Sequence, residues 1–228
     1  MAGRLKLIVA MNPAIPSQLY MIFTSAIALI VLIQIWLVAP LLNPGFLGRS
    51  IPILLVVLLS AARQIAVGGR WGLDRGAFIS ASRRALVVTV PVVLLAGLIV
   101  VLAPDNWPFR TPKDLALTFS YLFLWALGQQ FALQTVIFEE SLKTVGDGQK
   151  AALIAGGIFA ALHLPNPFLT VATGVGGLVW CSIYRRSPNI LPLAVSHAIC
   201  SMALMAAFSR DVTGGMRVGY SYLAFWMG

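Results

Sequence analysis

The chain contains two histidines, His163 and His197, and both fall inside apolar stretches. An imidazole with an unperturbed pKa of about 6.5 can take or give a proton near neutrality. An ionisable group at membrane depth marks a functional site by default. Upstream, Gln129, Gln130 and Gln134 form Gln-Gln-x-x-x-Gln within another apolar segment, and Ser201 stands four residues after His197. Carboxamide and hydroxyl groups can hold a peptide carbonyl, but a carboxamide has no accessible proton-accepting state near neutral pH. Only the histidines of this set can serve as a base. Two histidines are too few for a closed zinc site, which takes four ligands. With no phosphate loop and no cysteine cluster, the sequence implies no cofactor and no metal.

The elements that must carry these residues follow from composition. Of 228 residues 59% are hydrophobic and only 10% charged, against about 25% charged in a soluble domain. So few charges cannot cover a water-facing surface. Composition excludes a cytosolic enzyme, a disordered chain and a disulfide scaffold, and leaves an all-α polytopic membrane protein. The net charge is +9, but too little surface is solvated for a nucleic-acid partner. Cys181 and Cys200 read as small core residues.

Seven apolar segments read as transmembrane helices: 19–42, 51–67 (where Arg63 snorkels to the interface), 85–103 (bent or loosened at Pro91), 115–138, 151–164, 168–184 and 190–208. Residues 70–84, 104–114 and 139–150 read as polar or charged loops, and 216–227 as an aromatic interfacial stretch. Water-free lipid requires each helix to satisfy its own backbone. The single membrane domain divides into 1–114, a core at 115–208 and a tail at 209–228. With the N-terminus inside, eleven Lys and Arg fall on the cytoplasmic side and five on the far side. That satisfies the positive-inside rule and sets a multi-pass protein with a cytoplasmic N-terminus, as in a bacterial inner membrane. Small residues at Gly156, Gly157, Ala160, Ala161, Gly174 and Gly177 predict close helix packing.

Depth follows from a rise of about 1.5 Å per residue. His163 lies about 20 Å from the cytoplasmic end of its helix, His197 about 14 Å, and Gln129 and Gln130 about 14–16 Å. Glu139 and Glu140 lie at the end itself. The glutamines share a layer with the histidines. All seven acidic residues, Asp74, Asp105, Asp114, Glu139, Glu140, Asp147 and Asp211, are outside it.

Phe159-Ala160-Ala161-Leu162-His163 has the pattern Phe-x-x-x-His, and Leu191-Pro192-Leu193-Ala194-Val195-Ser196-His197 follows 34 residues after His163. The pair resembles the second and third motifs of the CAAX-protease and bacteriocin-processing (CPBP, or Abi) family of glutamate-dependent intramembrane proteases. The resemblance covers about residues 120 to 205. The family's first motif is Glu-Glu-x-x-x-Arg. Glu139-Glu140 fits it poorly, because Thr144 stands at the Arg position and the pair lies only 19 residues before Phe159. Gln129-Gln130 takes the Glu-Glu position instead, with Gln134 at the Arg position and Ser201 where the family has Asn or Asp. Glu139 and Glu140 remain the fallback register.

The resemblance implies a glutamate acting as general base on a water, with histidines and Asn orienting that water and stabilising the oxyanion. Two readings follow. One is an intramembrane endopeptidase acting on a membrane-embedded or lipidated peptide. The other is a catalytically silent relative that binds a peptide, lipids or another membrane subunit as an accessory or assembly factor.

Overall fold

A computed structural model describes residues 17–38 and 46–227. It is helical throughout, and among the described residues the one bridge-like pairing joins Leu73 and Asn189. Helix α1 (Ser17–Ile33) runs into a π turn (Gln34–Val38), and α2 is Phe46–Ala66. Helix α3 is Phe78–Leu102 and α4 is Pro112–Ala132. A second π turn (Leu133–Phe138) joins α4 to α5 (Glu139–Val145), and α6 is Gly148–Ala161. Helices α7 (Pro167–Arg186) and α8 (Ile190–Ala207) complete the core. The tail forms α9 (Arg210–Thr213) and α10 (Tyr220–Met227).

The protein is an all-α polytopic membrane protein. Among the described residues four helical runs are long and apolar enough to cross a bilayer: 75–102, 112–145, 167–186 and 190–207. Three further spans were expected. Among the described residues the apolar stretches of α1 and α2 are Thr24–Val38 and Ile53–Ala66, and α6 has 14 residues, about 21 Å of helix. Residues 39–42 of the expected first span, and Arg4 and Lys6 used for orientation, lie outside the described residues.

Local chemistry sets the boundaries. Thr111 and Asp114 form a capping box with Pro112 in the first turn of α4, so the helix starts just before the expected boundary at 115. Helix α3 starts seven residues earlier than expected, taking Arg83 and Arg84 out of the loop, and continues through Pro91. Gly146, at φ +67°, ends α5, a left-handed position that glycine tolerates. Asp147 then caps α6 by accepting from the Gln149 and Lys150 amides. The Lys150 amide, above all, holds its carboxyl below the usual range.

The expected loop at 139–150 is therefore helix apart from Gly146 and Asp147. The run 112–145 has 34 residues, about 51 Å, so α5 extends the rod that carries the glutamines. Helix α8 packs against α3 and α4, and α6 packs against α7. The second contact needs its glycines. A Cβ on Gly156 would lie 2.8 Å from Leu178 N, and one on Gly177 would lie 3.1 Å from Gly156 Cα. The main core gathers Phe131, Leu133, Phe138, Phe159, Trp180, Tyr184 and Leu193.

Candidate polar centre in the helical core

The centre begins on α4. Gln130 and Gln134 are one helical turn apart, so their side chains stack on one face. Both are fully buried. The Gln134 Nε2 donates to Gln130 Oε1 at 2.9 Å. The Gln130 Nε2 faces His197 Nδ1 at 3.5 Å across the α4–α8 contact. A buried amide next to an imidazole directs its N–H to a ring nitrogen that accepts. That leaves the proton of a neutral His197 on Nε2.

His163 has the complementary tautomer. Its Nδ1 lies 2.7 Å from Phe159 O, and a carbonyl can only accept, so Nδ1 carries the hydrogen. The lone pair of the neutral ring is then on Nε2. Phe159 joins the two histidines: its ring meets His163 edge-on at 4.8 Å and His197 at 6.0 Å. The centre thus offers one imidazole donor and one imidazole acceptor, the pair of functions that a peptide unit presents in reverse.

Gln129 and Ser201 are half-buried, and among the described residues no side-chain hydrogen bond ties either to this group. Gln130, Gln134 and His197 come into direct contact and His163 approaches through Phe159, while Gln129 and Ser201 are linked to them only along the chain, next to Gln130 and four residues after His197.

Three residues behind His197 carry no signal in the sequence. The Trp180 indole lies 4.4 Å from the His197 ring, tilted by 30°. Its Nε1 donates to Ser196 Oγ at 3.2 Å, and Ser196 shares a 2.7 Å hydrogen bond with Thr89 on α3. The Thr89 hydroxyl also lies 2.8 Å from Ala85 O. Serine and threonine are common in packed membrane helices, so only the contact between helices distinct in sequence identifies this chain of bonds.

Glu139 and Glu140 belong to a different environment. They follow Gln130 by about two and a half turns, about 13 Å along the helix. Although the sequence places them at the helix end, in an expected charged loop, both are half-buried. Glu140 pairs with Arg63 Nη2 at 2.5 Å and with Lys143 Nζ at 3.5 Å. Glu139 lies in the field of Arg63, Lys143 and Arg70.

Arg63 does not snorkel to the interface. It is fully buried, and its Nη1 donates to Thr135 O at 3.1 Å while Gln64 Nε2 donates to the same carbonyl at 2.7 Å. Thr135 lies in the π turn, where the wider helical register leaves room for such insertions. A guanidinium with a carboxylate and a carbonyl to bind has no reason to reach for water.

The far end is closed by Asn166. It is fully buried, accepts from Leu169 N at 3.0 Å to cap α7, and donates to Thr213 O at 2.8 Å and Arg217 O at 2.9 Å. Gly219 N adds a bond to Leu164 O at 2.9 Å. The tail expected to be interfacial is thus tied to the turn that follows His163. Among the described residues no group of three or more His, Cys, Asp or Glu could hold a metal.

Residues 111–203 match the family described as Type II CAAX prenyl endopeptidase Rce1-like. The match runs from the N-cap of α4 to two residues beyond Ser201 and encloses the glutamines and both histidines. No curated protein and no solved structure matches the chain.

Proposed function

Starting from a chain whose residues 111–203 form an Rce1-like CAAX-endopeptidase-type membrane domain, we propose that it is a binding relative of these enzymes. Its polar centre holds a peptide segment of a membrane-embedded or lipidated partner and does not hydrolyse it by a glutamate mechanism. One observation carries this reading: the side chain facing His197 on α4 is the carboxamide of Gln130, itself held by Gln134. A carboxamide cannot take a proton from water. The carboxylates of Glu139 and Glu140 lie about 13 Å further along the helix, and Glu140 is engaged by Arg63 and Lys143.

The retained groups suit binding. The Nε2–H of His197 can donate to a peptide carbonyl, and the Nε2 lone pair of His163 can accept from a peptide N–H. Orientation with Gln149 and Lys150 in the cytoplasm belongs to the same reading, because it satisfies the charge bias of the loops.

The test is equilibrium binding of a fluorescent prenylated peptide to the purified chain in detergent. Wild type should bind it and return it intact. His197→Ala should weaken binding about ten-fold, the loss of about 1.4 kcal/mol. Recovery of a cleaved peptide would overturn the reading.

A second reading rests on His163. Its Nε2 is free to act as a base, which would make the chain an endopeptidase with a histidine-based mechanism. Its signature is cleavage that survives Glu139→Gln and Glu140→Gln and is lost in His163→Ala.

A further inference from the structure

We propose that the groove between the N-terminal ends of α3 and α8 is a seat for one anionic phospholipid. The groove has a volume of about 690 Å³ and is lined by Leu73, Arg75, Phe78, Ile79, Asn189 and Leu191. Its four apolar side chains are well exposed, from 36% at Leu191 to 58% at Ile79. Both helices are candidate membrane spans whose first residues border the groove. An apolar slot at the first turn of a span opens where acyl chains meet headgroups.

Charge selects the occupant. Arg75 lines the groove, and Arg70, Arg83, Arg84 and Arg186 are exposed around it or on the adjoining helix ends. The opposing charge is Asp74, whose Oδ1 is taken by the Gly76 amide at 2.9 Å. Arg75, in the 3-10 turn that leads into α3, recurs every four residues with Ile79 and Arg83 on α3, so the three share one side of the helical run 75–102. Val87, Val90, Leu94, Leu98 and Val101 continue that face, all at least 40% exposed. One strip of helix therefore presents cations at the headgroup level and a bare hydrocarbon surface below it. A phosphate diester meets Arg75 while one of its chains fills the slot between Phe78, Ile79 and Leu191.

The groove wall is stiff. Leu73 pairs with Asn189, Ile190 N donates to Gly72 O at 2.8 Å, and Asn189 Nδ2 donates to Asp74 O at 2.9 Å. The loop that supplies Arg75 is thus bound to the start of α8, the helix that carries His197. This inference does not depend on whether the polar centre binds or hydrolyses.

The test is native mass spectrometry of the full chain in detergent, titrated separately with phosphatidylglycerol, phosphatidylcholine of the same chains, oleate and inorganic phosphate. Phosphatidylglycerol should be retained as a single adduct in preference to the others. Arg75→Gln should lower its retention about five-fold, the effect of one basic residue near a charged lipid surface, and leave phosphatidylcholine unchanged. Ile79→Trp, which fills the slot, should lower retention of both lipids. Thermal unfolding in lipid-free detergent checks that each variant is folded, and Arg75→Lys should restore retention where Arg75→Gln loses it. Equal retention of the two phospholipids, equal retention of oleate or phosphate, or loss on Arg83→Gln but not on Arg75→Gln would each overturn the proposal.

Discussion

The amide nitrogen of Gln130 lies 3.5 Å from Nδ1 of His197, and the amide oxygen of the same side chain accepts from Gln134 at 2.9 Å. The pair joins α4 to α8 by neutral groups. Everything proposed for the polar centre depends on that neutrality, because a carboxylate in the same place would be an acceptor on both atoms and a base.

Arg63 should be indispensable to stability. Its fully buried guanidinium pairs with Glu140 and with the Thr135 carbonyl. Glu140 keeps 26% of its side chain exposed, which places the loss at the low end for a broken buried pair. Arg63→Ala should cost about 3 kcal/mol in detergent unfolding. Arg63→Met with Glu140→Leu should recover much of it, since a packed apolar pair leaves no stranded charge. A single variant as stable as wild type would show that the pair is idle.

Two adjacent glycines should behave oppositely. A Cβ at Gly156 would meet Leu178 N at 2.8 Å and Gly174 O at 3.1 Å, whereas one at Gly157 meets nothing within 4 Å. Gly156→Ala should force α6 from α7 and lower the unfolding temperature. Gly157→Ala should be neutral or stabilising by up to about 1 kcal/mol, from helix propensity alone. Thermal unfolding of the two variants side by side settles the order.

The approach of Gln130 to His197 was legible because helical rise converts residue count into depth, and the counts for the two gave similar values. The same arithmetic separated Glu139 and Glu140 from that layer. It could not show that α5 continues the helix, because the length of α4 and α5 together exceeds a bilayer and nothing in the apolar pattern signals that. Arg63 was misread for a different reason. A lone cation in an apolar run snorkels unless a partner waits inside, and Glu140 lies 77 residues away in sequence. Thr89, Ser196 and Trp180 meet only through tertiary contact, and each alone looks like ordinary helix packing.

Asn166 should control the tail. Replacing it by Ala removes the α7 cap and both bonds to the 213–217 turn. The expected cost is about 1–3 kcal/mol, the range for leaving buried partners unsatisfied. Arg217 is exposed in that turn, so trypsin should cut there faster in Asn166→Ala than in wild type. Unchanged cleavage kinetics would show that other contacts, such as Gly219 N to Leu164 O, are sufficient.

Orientation can be read from one exposed position. Gln149, in the first turn of α6, is exposed, and the proposed orientation puts it in the cytoplasm. Gln149→Cys in intact cells should resist a membrane-impermeant maleimide and react after permeabilisation. Labelling from outside would invert the topology.

The most direct test of the account is cleavage of a prenylated peptide by wild type and by Gln130→Glu, in detergent, across pH. The account predicts no turnover by wild type. It predicts measurable turnover by Gln130→Glu, because the change sets a carboxylate beside His197. Only the deprotonated carboxylate is a base, so activity should rise with pH as that form appears. Wild-type cleavage that persists in Glu139→Gln and Glu140→Gln but vanishes in His163→Ala would contradict the account and establish a histidine-based endopeptidase.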